Sequence, residues 1–254
     1  LSEMYHLGCF MNIFAYEDVG SISEFRKRVC MNKPDVFLMI ACSKVSFRHV
    51  LKELGIPVIQ IYPNVIENDV LSYIIDNEKA VRIVIDHLCG LGHQRIALMH
   101  GQGYEGCHML DQEERIEAFY RIMAEKNLST NGHLVKYGGF SPEEGYAAAC
   151  ELLDLPSRMR PTAIFGNDYN APGIYRAAQE RGIRIPQDLS VVGFDRLSII
   201  NFMQPSLTTL DICAEEMVKD VARKAKESAQ TGIQGEGVLR TGVELIQGKS
   251  TGTV

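Results

Sequence analysis

Three polar side chains stand where short apolar runs end. Asn167 and Asp168 follow Thr162–Phe165, and Asp195 closes Leu189–Phe194. An ionised carboxylate at Asp195 accepts paired hydrogen bonds from vicinal hydroxyls or an amine; a turn or helix-cap aspartate is the plainer alternative. Asn167 offers a donor and an acceptor at once, which matches a sugar hydroxyl. Asp168 reads either as a further ligand group or as a cap for the helix that follows.

Arg115 comes after the loop 101–111, where a helical pattern begins. Its planar fork can hold two oxygens on one ligand face, or pair at the surface with Glu113 or Glu114. Phe140, just past a strand-like run, offers a flat wall to a ring or packs into a core. Tyr104, Asp111, Tyr62 and Met109 are secondary candidates. A carboxylate, an amide, a guanidinium and one aromatic suit a hydroxylated neutral ligand better than a phosphate. Phosphate would call for more cations or a glycine-rich helix start.

Catalytic patterns are missing. No GxSxG occurs, and no motif ties a histidine to a serine or cysteine. His100, Cys107 and His108 do not follow a zinc spacing, and Gly90-Leu91-Gly92 lacks a third glycine and follows a helix. No catalytic residue, metal or cofactor is assigned, and the chain reads as a binder rather than an enzyme.

The elements that must position these groups alternate. Strand-like runs fall at Phe10–Tyr16, Asp35–Ala41, Pro57–Tyr62, Arg95–His100, Leu134–Tyr137, Thr162–Phe165 and Leu189–Phe194, with a further one at Val243–Gln247. Between them, apolar residues recur at i, i+3, i+4 and i+7: Phe47, Val50, Leu51, Leu54; then Val81, Val84, Ile85, Leu88; then Ile116, Phe119, Tyr120, Met123. This alternation predicts an α/β protein with largely parallel sheets. Strand, helix over about 169–181, strand is the crossover that joins parallel neighbours, and ligands of open parallel sheets bind outside the strands' carboxyl ends. Ser141-Pro142-Glu143-Glu144 predicts an N-cap, a proline in the first turn, and acids at the positive end of a helix.

At 254 residues, two lobes with separate cores are affordable. A net charge of -6 argues against a large phosphate-binding surface. Seven scattered cysteines without a CxxC pair suit a reducing cytoplasm. No apolar run approaches a membrane span, and LSEMYHLG does not have the layout of a signal peptide. Leu1–Leu7 reads as the end of a helix with no strand before it, as in a piece of a longer protein.

Several stretches, in order, resemble the effector-binding domain of lactose-repressor-type (LacI/GalR) transcription regulators. They are Asp76-Asn77 with VIDHLCGLGHQRIALMHG (84–101), Arg115-Ile-Glu-Ala-Phe119, Gly139–Gly145, PTAIFGND (161–168), IPQDLSVVGFD (185–195) and PSLTTL (205–210). The resemblance implies two similar doubly wound parallel-sheet lobes of periplasmic-binding-protein-like form, with a hinge and an interlobe cleft. It places 1–75 plus 209–236 in the N-terminal lobe and 76–208 plus 237–254 in the C-terminal lobe. It further implies a small-molecule effector in the cleft, a homodimer, and operator DNA reached only through a helix-turn-helix domain absent from this chain. Three departures stand out: Tyr62-Pro63-Asn64 replaces an acid–base pair, Lys79-Ala80 replaces a glycine pair, and GQGYEGCHMLD (101–111) departs from purine-binding members. A regulator's sugar-sensing domain in the cytoplasm is the leading expectation. A periplasmic sugar-binding protein feeding a transporter is the alternative.

Overall fold

A computed structural model describes residues 9–13, 19–41, 45–101, 109–128 and 132–254. In chain order its elements are α1 (Ile22–Asn32), β1 (Phe37–Ile40), α2 (Val45–Glu53), β2 (Val58–Ile61), β3 (Leu71–Ile75), α3 (Asn77–Gly90), β4 (Ile96–His100), α4 (Leu110–Glu125), β5 (Val135–Tyr137), α5 (Pro142–Leu153), β6 (Ala163–Phe165), α6 (Ala171–Glu180), β7 (Ser190–Phe194), β8 (Thr208–Asp211), α7 (Ala214–Thr231), β9 (Gly237–Thr241) and β10 (Glu244–Ile246). The expected α/β class with parallel sheets is what the chain forms.

Two compact units divide the chain. The first takes the described parts of residues 1–75, residues 109–110 and Cys213–Thr241, and carries a parallel sheet in the order β1-β2-β3-β9. Its central strands are buried along their whole length, VIQI and LSYII, as strands covered on both faces must be. The polar interruptions satisfy each other: Ser72 Oγ donates to Gln60 Oε1 at 3.0 Å. On one side Phe25 and Phe47 stack with centroids 4.0 Å apart, and Phe37 meets Phe25 edge-on.

The second unit, built mainly from Asp111–Ile212 with the segment that starts at Asp76 and the tail from Gly242, holds the order β10-β8-β7-β6-β4-β5. Only the β10–β8 pairing is antiparallel. The predicted cap forms: Ser141 Oγ accepts from the Glu144 amide at 3.2 Å, while the Glu144 carboxylate accepts from Phe140 N and Ser141 Oγ. Helices α5 and α6 lie so close that a β-carbon on Gly173 would fall 2.1 Å from the Pro142 carbonyl oxygen. One on Gly145 would fall 2.7 Å from the Asn170 backbone. At the opposite end of the sheet, buried His93 bonds Thr162 Oγ1, Ser190 Oγ and the Gly252 carbonyl, which docks the tail.

The structure corrects several expectations. Residues 10–13 form no strand, and the rest of the expected Phe10–Tyr16 run lies outside the described residues. Arg115 does not begin its helix, which starts at Leu110, so its side chain issues from the second turn. The chain does not return to the first unit at residue 209. Strand β8 is laddered to β7 and β10 and stays with the second unit, while β9 is laddered to β3 and keeps the first unit going to Thr241. Among the described residues no helix is long and apolar enough to cross a membrane.

The close approach of α5 and α6 carries an expected outcome. Gly173→Ala lowers unfolding free energy by about 1–3 kcal/mol, the usual effect of overpacking. Urea denaturation should show an earlier midpoint with an unchanged slope.

Candidate ligand-binding site

Strand β7 ends in an unusual backbone. Asp195 and Arg196, neither of them glycine, take φ values of 99° and 54° in succession. That left-handed region disfavours side chains carrying a β-carbon, and such outliers gather at functional sites. The Asp195 amide still donates to the Leu210 carbonyl at 3.0 Å, so its main chain remains tied to β8. Its carboxylate, partly exposed, has no hydrogen-bond partner among the described residues. Arg196 turns away and donates to Asp211 at 2.6 Å.

Arg115 is buried, with its guanidinium 3.6 Å above the centre of the Phe194 ring. Its Nε and Nη2 donate to Asn77 Oδ1 at 3.3 and 3.2 Å. The Asn77 amide nitrogen donates in turn to Asp111 Oδ1 at 3.1 Å and to Glu114 Oε2 at 3.0 Å. Nη1 of Arg115 makes no hydrogen bond among the described residues. Asn77 is fully buried in the first turn of α3, just after the capping Asp76. In the sequence Asn77 stands out only as part of an Asp-Asn pair. The signal that could have found it was a buried-helix position carrying an amide.

Burial pulls the Arg115 pKa down, and the charges of Asp195 and Asp111 hold it back up. Burial raises Asp195, with Arg115 opposing and Asp111 adding to the rise. Asp111 is likewise raised by burial, against Arg115 and the Asn77 hydrogen bond. Three sequence candidates, Arg115, Asp111 and Asp195, therefore share one electrostatic cluster.

The other candidates are placed differently. Asn167 is buried; its Nδ2 donates to the Gly139 carbonyl at 2.9 Å and its Oδ1 accepts from the Asn170 amide at 3.0 Å. Asp168 is buried between strands, accepting from Thr209 Oγ1 and the Leu197 amide, each at 2.6 Å. Its carboxylate lies over Gly193, where a β-carbon would come within 2.1 Å of Oδ1. These two side chains serve the fold in the structure: each makes internal bonds that set the loop after β6. Phe140 is 41% exposed, and its ring covers the α-carbon of Gly101 at the end of β4. Tyr62 belongs to the first unit and packs against its core. Met109 is half-buried just before α4. Tyr104 lies outside the described residues, as do Cys107 and His108. No group of three metal-binding side chains occurs among the described residues.

Comparison with known proteins gives three concordant findings. Residues 85–251 match the model of the periplasmic binding protein-like domain. The chain is 35% identical over 139 residues to the HTH-type transcriptional repressor PurR of Vibrio cholerae, a match covering 54% of this chain and 40% of that protein. Across the curated relatives it matches, the chain spans about half their length. Among solved structures, a LacI-family regulatory protein from Chloroflexus aggregans superposes with a TM-score of 0.86 at 24% identity, covering 99% of this chain and 91% of that one. A LacI-family regulator from Enterococcus faecium with bound ribose superposes at 0.83 and 25% identity, covering 100% and 91%.

Asp168 supplies a pH-dependent outcome. Burial, reinforced by the nearby Asp195 charge, pushes its pKa from 3.8 to about 7 despite the Thr209 and Leu197 hydrogen bonds. The folded state therefore keeps a proton that the unfolded chain releases, and stability falls as pH rises from about 4 through about 7. Measured against Asp168→Asn, which cannot titrate, the wild-type stability declines across that window by at most about 4 kcal/mol. A pH-independent difference between the two in chemical denaturation would contradict the assignment.

Proposed function

This chain belongs to the periplasmic binding protein-like domain family, in its LacI/GalR branch, and from that premise we propose that it is the effector-sensing part of a transcription regulator and not an enzyme. The effector is a hydroxylated small molecule, a sugar or sugar derivative. It binds at the carboxyl-end rim of the second unit's sheet, where Asp195 accepts from ligand donors and the Arg115 Nη1 group donates to a ligand oxygen. The observation that carries this reading is the Asp195 carboxylate: set on a strained strand end, beside a guanidinium, and without a hydrogen-bond partner among the described residues. The ribose held by the Enterococcus faecium relative supports the ligand class.

Phe140 forms an apolar wall beside this rim, and Asp111 acts through the Arg115 network; Asn167 and Asp168 shape the loops, with any ligand contact secondary. Tyr104 remains a proposed second-tier contact. In the intact protein, working in the cytoplasm as a homodimer, effector binding would favour one conformation over another by its difference in affinity for the two. Coupling of about 1–3 kcal/mol is typical of such linkage. DNA contact would be made by a helix-turn-helix domain outside this sequence.

A thermal-shift screen against sugars, sugar derivatives and nucleosides tests the reading. A true effector at 100 times its dissociation constant stabilises the native state by about 2.7 kcal/mol. Asp195→Ala and Arg115→Ala should each weaken that ligand by tenfold or more. Unchanged affinity in both variants would remove the site from this rim.

A further inference from the structure

The charges around Arg115 do not balance. Among the described residues the cluster holds one cation and three carboxylates, those of Asp111, Glu114 and Asp195, and the buried acid Asp168 lies within electrostatic reach of Asp195. Asn77 divides its amide between them: the oxygen takes both inner donors of Arg115, and the nitrogen serves Asp111 and Glu114. The guanidinium thus meets a neutral group where a salt-bridging carboxylate would be usual. The positive ends of two helices offset part of the remaining charge, since Asn77 lies in the first turn of α3 and Asp111 in that of α4.

Asp195 has no such relief. It ends a strand, accepts no hydrogen bond among the described residues, and has only the shared Arg115 cation for company. Burial raises its pKa against the pull of Arg115, so a donor or positive charge arriving at this carboxylate would favour its ionised form. A neutral hydroxyl would donate to it and leave that charge in place, whereas an ammonium would donate and neutralise it together. An anionic ligand would gain Arg115 and face three carboxylates.

We propose that the site selects a hydroxylated ligand bearing a primary amine, a vicinal amino alcohol of the kind found in amino sugars, with its ammonium on Asp195 and the adjacent oxygen on Arg115. The inference rests on the effector-seat reading given above and narrows it to a chemical class.

Calorimetric titration of the full chain with matched pairs tests it: glucose against glucosamine, galactose against galactosamine, mannose against mannosamine. At least one amine should bind tenfold or more tightly than its neutral parent at about pH 7. That preference should vanish at about pH 10, where the amine is uncharged, and shrink as salt is added. Asp195→Asn should remove it as well; the pH profile is read on the unaltered protein and so does not depend on any variant folding. Neutral parents that bind as tightly as their amines would overturn the proposal and leave the sugar-sensing reading standing. Failure of every pair, amine and parent alike, would also overturn the amine proposal, while the sugar-sensing reading is decided by the wider thermal-shift screen.

Discussion

A buried guanidinium anchored by an amide is the constraint on which the proposed site depends. Arg115 sits against Phe194 with its inner donors on Asn77 Oδ1. Desolvating a cation is costly unless its hydrogen-bonding capacity is met. The amide meets part of that demand without cancelling the charge, and the aromatic face adds a further attraction. The Asn77 orientation is fixed by the same network. Flipping its amide would set two N–H donors against guanidinium donors and turn its oxygen toward two carboxylates. Three elements, α3, α4 and β7, are locked together by this single side chain and its arginine.

The backbone beneath supplies the second half of the arrangement. A carboxylate offered to solvent at a strand end needs a main chain that turns without leaving the ladder. Asp195 does this by adopting φ 99° while its amide stays bonded to Leu210. The strain is sustained by what surrounds it. Asp168 reaches across the bare α-carbon of Gly193 to Thr209, tying β6, β7 and β8 at their carboxyl ends. The loop after β6 is closed by Asn167 and Asn170, which bond each other and the Gly138 and Gly139 carbonyls. A rigid rim therefore holds a strained, partly exposed acid, which is the pairing expected where preorganisation matters.

Much of this was legible from residues alone. The β6–α6–β7 crossover was plain because its strands are uninterrupted apolar runs bounded by Gly, Asn and Asp. The Ser141 cap was plain because each of its four residues favours the same outcome. Strand β3 was harder: LSYII carries a serine whose partner, Gln60, sits on another strand. Strand β9, GVLRT, is exposed along four of its five residues and so shows no buried period. The roles of individual polar groups were least legible. Asn167 stands at a strand end just as Asp195 does, yet its amide bonds a carbonyl 28 positions away. Asn77 acquires its importance from Asp111, Glu114 and Arg115, 34 to 38 positions on. The family resemblance located the region, and only tertiary contacts separated the groups that support it from those left available.

The most direct measurement is a crystal structure of the protein with the tightest binder from the screen. A ligand donor should lie within about 3.2 Å of an Asp195 carboxylate oxygen, and a ligand oxygen within the same reach of Arg115. Clear ligand density that leaves both side chains untouched, with Asp195 still lacking a partner, would contradict it.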